Sequence, residues 1–184
     1  FEEAGIVIVQ LELPLPAVQA AVRMAKRHNC RVILDPAPVP AGRPLPPELF
    51  NVDVITPNIV EACQLTGRQI GSAKGLRGIA GDLIARGARA AVITLGHQGA
   101  LVATADGEMT RLHPHRIDLV NSTAAGDAFT GALAVGLSQG WGLKEASRFA
   151  NAAGALACTK HGAMVSIPTA EEVHILMSDQ SPLG

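Results

Sequence analysis

Arg31-Val32-Ile33-Leu34-Asp35 is the apolar run that decides the fold of this chain, because of the pattern that precedes it. An alanine-rich amphipathic pattern over residues 15–28 leads into the run, and a second apolar run, Gly5-Ile6-Val7-Ile8-Val9, comes before that pattern. Short apolar runs are typical of buried strands, whereas amphipathic spacing is typical of a helix. The first part of the chain therefore predicts a strand, a helix and a second strand.

The same alternation continues through the rest of the chain. Strands are predicted over residues 52–56 and 90–95, and a two-stranded ribbon over residues 100–103 and 109–112 around Asp106-Gly107. Helices are predicted over residues 58–67, 73–86, 127–138, 143–159 and 170–177. This alternation favours an α/β domain with a mostly parallel sheet, whose ligands bind beyond the carboxyl ends of the strands.

Composition limits the classes of protein that the chain can belong to. With 184 residues, 48% of them hydrophobic, it is long enough for one domain over residues 1–184 with a substantial core. The net charge of −1 and an aromatic content of 3% provide neither a basic stripe nor a stacking platform, so we expect no nucleic-acid partner. No apolar run has the length that a membrane span needs, so we expect no membrane partner.

Cysteine usage and the first residues predict the compartment and the extent of the sequence. Cys30, Cys63 and Cys158 are odd in number and far apart, which predicts reduced core thiols in a cytoplasmic protein. Phe1 leads at once into a predicted buried strand rather than a signal peptide. We therefore expect that the beginning of the protein lies outside this sequence.

A candidate anion-binding loop lies in Val120-Asn121-Ser122-Thr123-Ala124-Ala125-Gly126-Asp127, where small residues lead into one acid and an apolar helical pattern. Small side chains leave the backbone N–H groups of a helix N-terminus open to a phosphate, which the helix dipole also favours. An aspartate in that first turn can accept a hydroxyl proton, as phosphoryl transfer requires. The alternative interpretation is an ordinary helix cap.

The chain contains its own control for this loop. Ala80-Gly81-Asp82 repeats the Ala-Gly-Asp tripeptide, but there it lies within an apolar stripe at helical spacing, with Asp82 on the polar face. Asp127 differs because a strand exit and a polar turn precede it. We therefore expect Asp127 to open a helix rather than to lie within one.

Two further polar motifs each follow a predicted strand directly: Thr56-Pro57-Asn58 with Glu61, and Thr94-Leu95-Gly96. Parallel strands end at one edge of a sheet, so we expect both motifs and the Asp127 loop to converge on one cleft. Asn58 and Glu61, three residues apart at a helix start, can hold a hydrated magnesium ion near phosphates.

Each of these motifs also has a purely structural interpretation. Asn58 can be a helix cap, Glu61 a solvated acid of the first turn, and Gly96 the turn residue of a strand end. His113-Pro114-His115 places two histidines across a proline with no cysteine or carboxylate cluster nearby, so we interpret it as an exposed loop rather than a metal site.

Seven motifs occur in an order that carries a family resemblance. They are Gln10-Leu11-Glu12, Leu34-Asp35-Pro36-Ala37-Pro38, Thr56-Pro57-Asn58-x-x-Glu61-Ala62, Leu65-Thr66-Gly67, Thr94-Leu95-Gly96-x-x-Gly99, Thr123-Ala124-Ala125-Gly126-Asp127-x-Phe129-x-Gly131-Ala132-Leu133 and Gly162-Ala163-x-x-Ser166-x-Pro168. On these motifs the chain resembles the C-terminal part of a ribokinase-like, PfkB-type carbohydrate kinase. The resemblance implies a three-layer αβα fold, with the N-terminal part and the lid of the family outside this sequence.

The resemblance also implies an activity: ATP-dependent transfer of the γ-phosphoryl group to a primary hydroxyl of a sugar, with ribose and ribose 5-phosphate as the expected substrate and product. It implies that Asp127 is the base, that the N–H groups of Ala125, Gly126 and Asp127 form the anion hole, and that Glu12 contacts the sugar. The expected partners are thus the sugar and ATP, and the parent protein is expected to be a homodimer. The alternative is a catalytically silent regulatory protein that binds a nucleotide or a sugar.

Cofactor residues follow from the same resemblance. Asn58 and Glu61 match the Asn-x-x-Glu motif that places Mg²⁺ and phosphate through water, and Thr94, Gly96 and Gly99 match the nucleotide-binding turn. Asn151 falls where the adenine pocket of the family is lined. A potassium site is implied at Asn121, Thr123, Gly162 and Ser166. Asn121 departs from the aspartate common at its position, and an amide oxygen carries no negative charge.

Overall fold

A computed structural model describes residues 1–69 and 73–179. Residues 70–72 and 180–184 belong to the domain predicted over residues 1–184 but lie outside the described residues. The chain forms two compact units. The sheet unit comprises Phe1–Leu95 and Leu101–Arg111, and the helical unit comprises Gly96–Ala100 and the chain from Leu112 onward.

The sheet unit contains the predicted alternation of strands and helices. Its elements in chain order are β1 (Ile6–Gln10), α1 (Leu15–Arg27), β2 (Arg31–Asp35), β3 (Val54–Ile55), α2 (Ile59–Thr66), α3 (Ala73–Ala85), β4 (Ala90–Thr94), β5 (Ala100–Thr104) and β6 (Met109–Leu112). Within the described residues the six strands form one sheet in the order β1-β2-β3-β4-β5-β6, and β1 to β4 are parallel. The α/β prediction is confirmed.

Strand β3 is shorter than the predicted strand over residues 52–56, and Asp53 explains part of the difference. The Asp53 N–H donates to the Val32 carbonyl at 3.1 Å, but the Val32 N–H is accepted by the Asp53 side chain, Oδ2, at 2.9 Å. At the other end, Pro57 has no N–H to donate to the ladder. A side chain and a proline thus restrict regular pairing to Val54–Ile55.

The helical unit contains α4 (Ala125–Ser138), α5 (Leu143–Ala157) and α6 (Ala170–Asp179). Helix α4 begins at Ala125, before the predicted start at Asp127, since Ala124 already adopts a left-handed φ of 63° and the helix follows it directly. Helix α5 ends at Ala157 rather than at residue 159, since the Cys158 and Thr159 N–H groups bond only three residues back, to Ala155 and Leu156.

Each unit has its own apolar cluster. In the sheet unit the fully buried side chains include Leu34, Ile55 and Ile93 of strands β2, β3 and β4, and Ile79 and Leu83 of α3. In the helical unit, Phe149, Ala152, Ala153 and Val173 form a smaller cluster between α5 and α6. These clusters fix the strand ends and the helix starts that carry the candidate site residues.

The three cysteines are free thiols, but only one of them lies in the core. Cys30 is buried, and its thiol donates to the Ala4 carbonyl at 3.0 Å. Cys63 and Cys158 are half-buried, so the prediction that all three are core residues is wrong for these two, which lie at partly covered positions of α2 and after α5. Burial raises the pKa of the Cys158 thiol.

Helix lengths also bear on membranes. None of the helices formed by residues 1–69 and 73–179 combines the length and the apolar character that crossing a bilayer requires.

Candidate functional site

At the carboxyl edge of the sheet, the ends of β1 and β2 are joined by a side-chain hydrogen bond that the sequence did not predict. Gln10, the last residue of β1, donates from Nε2 to Oδ2 of the buried Asp35, the last residue of β2, at 3.0 Å. Beyond the strands, the Leu11 N–H donates to the Ala37 carbonyl at 3.0 Å. These bonds fix the backbone that leads to the exposed Glu12. The sequence signal for Asp35 is a polar residue at the end of a strand, close to the criterion applied to the motifs of Asn58 and Thr94.

Asn58 and Glu61 form a reciprocal capping box at the start of α2. The Glu61 N–H donates to Asn58 Oδ1 at 2.9 Å, and the Asn58 N–H donates to Glu61 Oε2 at 2.8 Å. Both bonds satisfy N–H groups that the first turn of a helix leaves without an intrahelical acceptor. The cap interpretation of Asn58 is therefore confirmed, whereas Glu61 is a half-buried partner in the cap rather than a simply solvated acid. The magnesium role of Glu61 stays a prediction.

The motifs after β3 and β4 lie side by side. The Thr94 N–H donates to the Pro57 carbonyl at 3.0 Å, and Asn58 pairs with Thr94 in an isolated parallel bridge. The sheet thus brings the Asn58 motif and Thr94 together at its carboxyl edge, as expected from parallel strands. The expected convergence of the Asp127 loop on the same cleft stays a prediction.

Gly96 and Gly99 bound a tight turn at the start of the helical unit. A 3₁₀ turn spans Gly96–Gln98, and the Gly99 N–H donates to the Gly96 carbonyl at 3.0 Å. Gly96 has a φ of 57° and the buried Gly99 a φ of 82°, a left-handed region that favours glycine. A side chain at Gly99 would also overlap the backbone of Leu112 and His113, so both conformation and space require glycine there.

Asn151 lies in α5 and its side chain is half-buried. Its Nδ2 donates to the carbonyl of His113 at 2.8 Å. His113 and Pro114 are exposed but His115 is half-buried, so the prediction of an exposed loop is confirmed only in part. In the described part of the chain, no group of three or more histidine, cysteine or acidic residues could hold a metal. The adenine role that the resemblance implies for Asn151 stays a prediction.

The first turn of α4 differs from an ordinary capped helix start. Its N-cap is Ala124, whose φ of 63° is uncommon for a residue other than glycine and whose side chain makes no cap hydrogen bond. The Ala125 N–H donates to the Ser122 carbonyl over a long 3.3 Å. Gly126 and Asp127, the next two residues, are exposed. The N-cap residue thus supplies no capping side chain, and the anion-binding role of this loop stays a prediction.

The two Ala-Gly-Asp tripeptides have different environments, as predicted. Asp82 lies within α3 and accepts two bonds from Arg68, at 2.5 Å from Nε and 3.0 Å from Nη2. The Arg68 hydrogen bond holds the pKa of Asp82 below its ordinary value. Asp127 instead is the third residue of α4, in the turn where the helix dipole favours negative charge.

The loop before α4 is held by bonds within the helical unit. The N–H groups of Val120 and Asn121 both donate to the Cys158 carbonyl, at 2.8 and 3.1 Å. Asn121 Oδ1 accepts from the N–H of Thr123 at 2.9 Å and from its hydroxyl at 2.7 Å. The amide oxygen of Asn121 is thus used inside its own turn.

Gly162 and Ser166 lie in the segment between α5 and α6. Gly162 has a φ of 103°, and the buried Ser166 hydroxyl donates to the Ala163 carbonyl at 2.8 Å. Asn121 Oδ1 already accepts two bonds inside its own turn, and as an amide oxygen it carries no negative charge to attract a potassium ion. The potassium site stays a prediction, and no chemical step below depends on it.

These observations define first a class of protein: an α/β protein with polar motifs at the carboxyl edge of parallel strands and an open helix N-terminus suited to an anion. The sequence profile of the pfkB family of carbohydrate kinases matches residues 2–170. The chain belongs to this family.

Similar proteins agree with this assignment. A ribokinase of Staphylococcus aureus (strain COL) is 37% identical over 173 residues, which cover 93% of this chain and 56% of that protein. A deoxyribokinase of Salmonella typhi is 31% identical over 178 residues, with coverages of 96% and 57%. The solved structure of Arabidopsis thaliana ribokinase complexed with ribose and ATP superposes with a TM-score of 0.88 at 29% identity, covering 96% of this chain and 56% of that one. The chain thus spans little more than half the length of these relatives.

Proposed function

We propose that this protein is an ATP-dependent sugar kinase that transfers the γ-phosphoryl group to a primary hydroxyl, with ribose as acceptor and ribose 5-phosphate as product. The observation that carries the proposal is the first turn of α4, where an N-cap without a capping side chain precedes the exposed Gly126 and Asp127. Membership of a carbohydrate kinase family and the ribokinase relatives support the reaction class.

In the proposed reaction, the oxygen of the sugar hydroxyl attacks the γ-phosphorus while the Asp127 carboxylate accepts the proton of that hydroxyl. The bond between the γ-phosphorus and the bridging oxygen breaks, and ADP leaves. The N–H groups of Gly126 and Asp127, with that of Ala125 once it exchanges the long bond to Ser122, stabilise the charge on the transferred group. Glu12 binds the sugar.

ATP is proposed to bind the turn at Thr94, Gly96 and Gly99. Asn58 and Glu61 fit a magnesium ion bound through water, because a carboxylate at an exposed helix start supplies the hard oxygen that Mg²⁺ prefers, and Oε1 takes no part in the capping box. When bound, the ion neutralises phosphate charge.

The match to the family profile covers residues of both units, which supports the proposal of one domain. The homodimer and the cytoplasmic location remain part of the proposal.

An assay of ADP release by the full-length protein tests the function. We expect release to depend on ribose, and 2-deoxyribose serves as the competing acceptor because a deoxyribokinase is among the relatives. Asp127→Asn should lower kcat by about 10²- to 10⁴-fold, the range of general base catalysis, and leave ATP affinity largely intact.

Asp82→Asn is the matched control, since it changes the same tripeptide at a site with a structural partner. It should leave kcat unchanged. Full activity of Asp127→Asn would reject the base role, and nucleotide or sugar binding without any phosphoryl transfer by the wild-type protein would favour the regulatory alternative.

A further inference from the structure

Helix α5 contacts two separate segments of the helical unit that the proposed function assigns to the nucleotide and to the phosphoryl group. These contacts come from Asn151 and Gly154, which are three residues apart and therefore lie on the same side of the helix. Their neighbours Ala150, Ala152 and Ala153 are buried, so this part of α5 is firmly packed.

The first contact runs through the loop after β6 to the Gly96–Gly99 turn. A Cβ at Gly99 would overlap the Leu112 carbonyl oxygen and would lie 2.9 Å from both the His113 carbonyl carbon and the Pro114 nitrogen. Residues 112–114 therefore lie directly against Gly99. Any displacement of this loop changes the space that the turn occupies.

Asn151 ties the same loop to α5. Pro114, the residue after His113, has no N–H to donate a backbone hydrogen bond. The His113 carbonyl accepts its bond from Asn151 Nδ2, at 2.8 Å, across 38 residues of sequence. Through this bond, the side chain of Asn151 supports the backbone that lies against Gly99.

The second contact joins α5 to the start of α4. A Cβ at Gly154 would lie 3.1 Å from the Ala125 carbonyl oxygen and 3.5 Å from Phe129 Cβ. Ala125 is the first residue of α4, two residues before Asp127. The absence of a side chain at Gly154 thus allows α5 to support the first turn of α4 at close range.

We infer that Asn151 and Gly154 are positioning residues, which together set the Gly96–Gly99 turn and the first turn of α4 at a fixed separation on one face of α5. The inference rests on the proposed function, because that function makes the first element a nucleotide site and the second a phosphoryl site. It assigns Asn151 an indirect role through His113, where the family resemblance implies a direct role at the adenine.

Hydrogen exchange of the full-length protein without ligand tests whether the Asn151–His113 bond supports the loop and the Gly96–Gly99 turn. Asn151→Leu removes the donor, so we expect exchange at residues 96–100 and 113–116 to accelerate about fivefold, the effect of one lost hydrogen bond, with α1 unaffected. Arg148→Leu, an exposed position one turn earlier on α5, is the matched control and should change neither segment. If the leucine variant does not fold, Asn151→Asp keeps the size, removes the donor and should give the same result.

Kinetics then separate the indirect role from a direct contact. Asn151→Leu should raise the KM for ATP about fivefold with little change in kcat. Gly99→Ala already displaces the loop, so adding Asn151→Leu to it should cause little further loss if Asn151 acts through His113. Additive losses would indicate an independent contact with the nucleotide and would overturn the indirect role.

Gly154→Ala tests the second contact. A displacement of the first turn of α4 should lower kcat about tenfold while the KM for ATP stays near the wild-type value. Gly81→Ala, in α3 with open space around its Cβ, is the control and should leave kcat unchanged.

The outcomes distinguish this inference from the proposed function. Unchanged hydrogen exchange in Asn151→Leu overturns the inference whether or not the protein is a kinase. If exchange accelerates in Asn151→Leu but the wild-type protein phosphorylates no sugar, the positioning role of Asn151 is supported and the proposed function is rejected.

Discussion

Asn58 and Glu61 are residues in which a structural role and a proposed catalytic role coincide. The capping box uses Asn58 Oδ1 and Glu61 Oε2. A glutamine at residue 61 can accept the same N–H bond as glutamate, because either side chain completes a capping box. Charge and cap can therefore be separated by substitution.

Glu61→Gln should leave the free energy of unfolding within about 0.5 kcal/mol of wild type and lower magnesium-dependent turnover at least about tenfold. Asn58→Ala, which removes the cap, should lower the free energy of unfolding by about 1 kcal/mol. Urea denaturation and turnover at varied Mg²⁺ measure the two effects. If Glu61→Gln shows the magnesium dependence of the wild-type protein, Glu61 has no role in magnesium binding and serves only in the capping box.

Sequence reasoning at this scale succeeded where a residue type has a local preference. The capping role of Asn58 and the first-turn position of Asp127 are examples, because each depends on a few neighbouring residues. The left-handed Ala124 was not predicted, since alanine disfavours that conformation and only the surrounding structure holds it there.

At the scale of elements, α4 and α5 pack closely where glycine replaces a side chain. A Cβ at Gly136 of α4 would lie 2.9 Å from both Ala146 Cβ and Trp141 Cε3 and 3.1 Å from Ala146 Cα. Gly131 lies in the same helix, but its Cβ would have open space. The two glycines therefore have the same low helix propensity, but only Gly136 is closely packed.

Gly131→Ala should raise the free energy of unfolding by up to about 1 kcal/mol, because alanine is the better helix former. Gly136→Ala should lower it by about 1–3 kcal/mol, because overpacking against α5 outweighs the same gain. Thermal or urea unfolding of both variants measures the difference. Equal stabilisation by both would contradict the close packing.

Whole-molecule stability in acid depends on carboxylates whose pKa values folding lowers. The Arg68 bond lowers the pKa of Asp82, the Thr104 hydroxyl lowers that of Asp106, and the Lys160 ammonium lowers that of Glu172. A lowered pKa in the folded state contributes stability that is present above the unfolded-state pKa and is lost as the pH falls through the folded-state value.

The free energy of unfolding should therefore decrease as the pH falls below about 4, the ordinary range of these carboxyl groups. Asp82→Asn should be less stable than wild type at neutral pH, and the two stability curves should converge in acid as wild-type Asp82 becomes protonated. Urea midpoints measured between neutral and acidic pH check this. A constant difference between the curves would rule out titration of Asp82 as the cause.

The sequence alone determined the order of strands and helices and the polar motif at each strand end, because hydrophobic periodicity, caps and turn residues act over a few neighbours. Only the tertiary structure decided that Asp35 is buried beside Gln10, that Asn58 pairs with Thr94, and that Asn151 bonds to His113. Each of these contacts joins residues far apart along the chain. Their geometry depends on how whole elements pack, which no local pattern specifies.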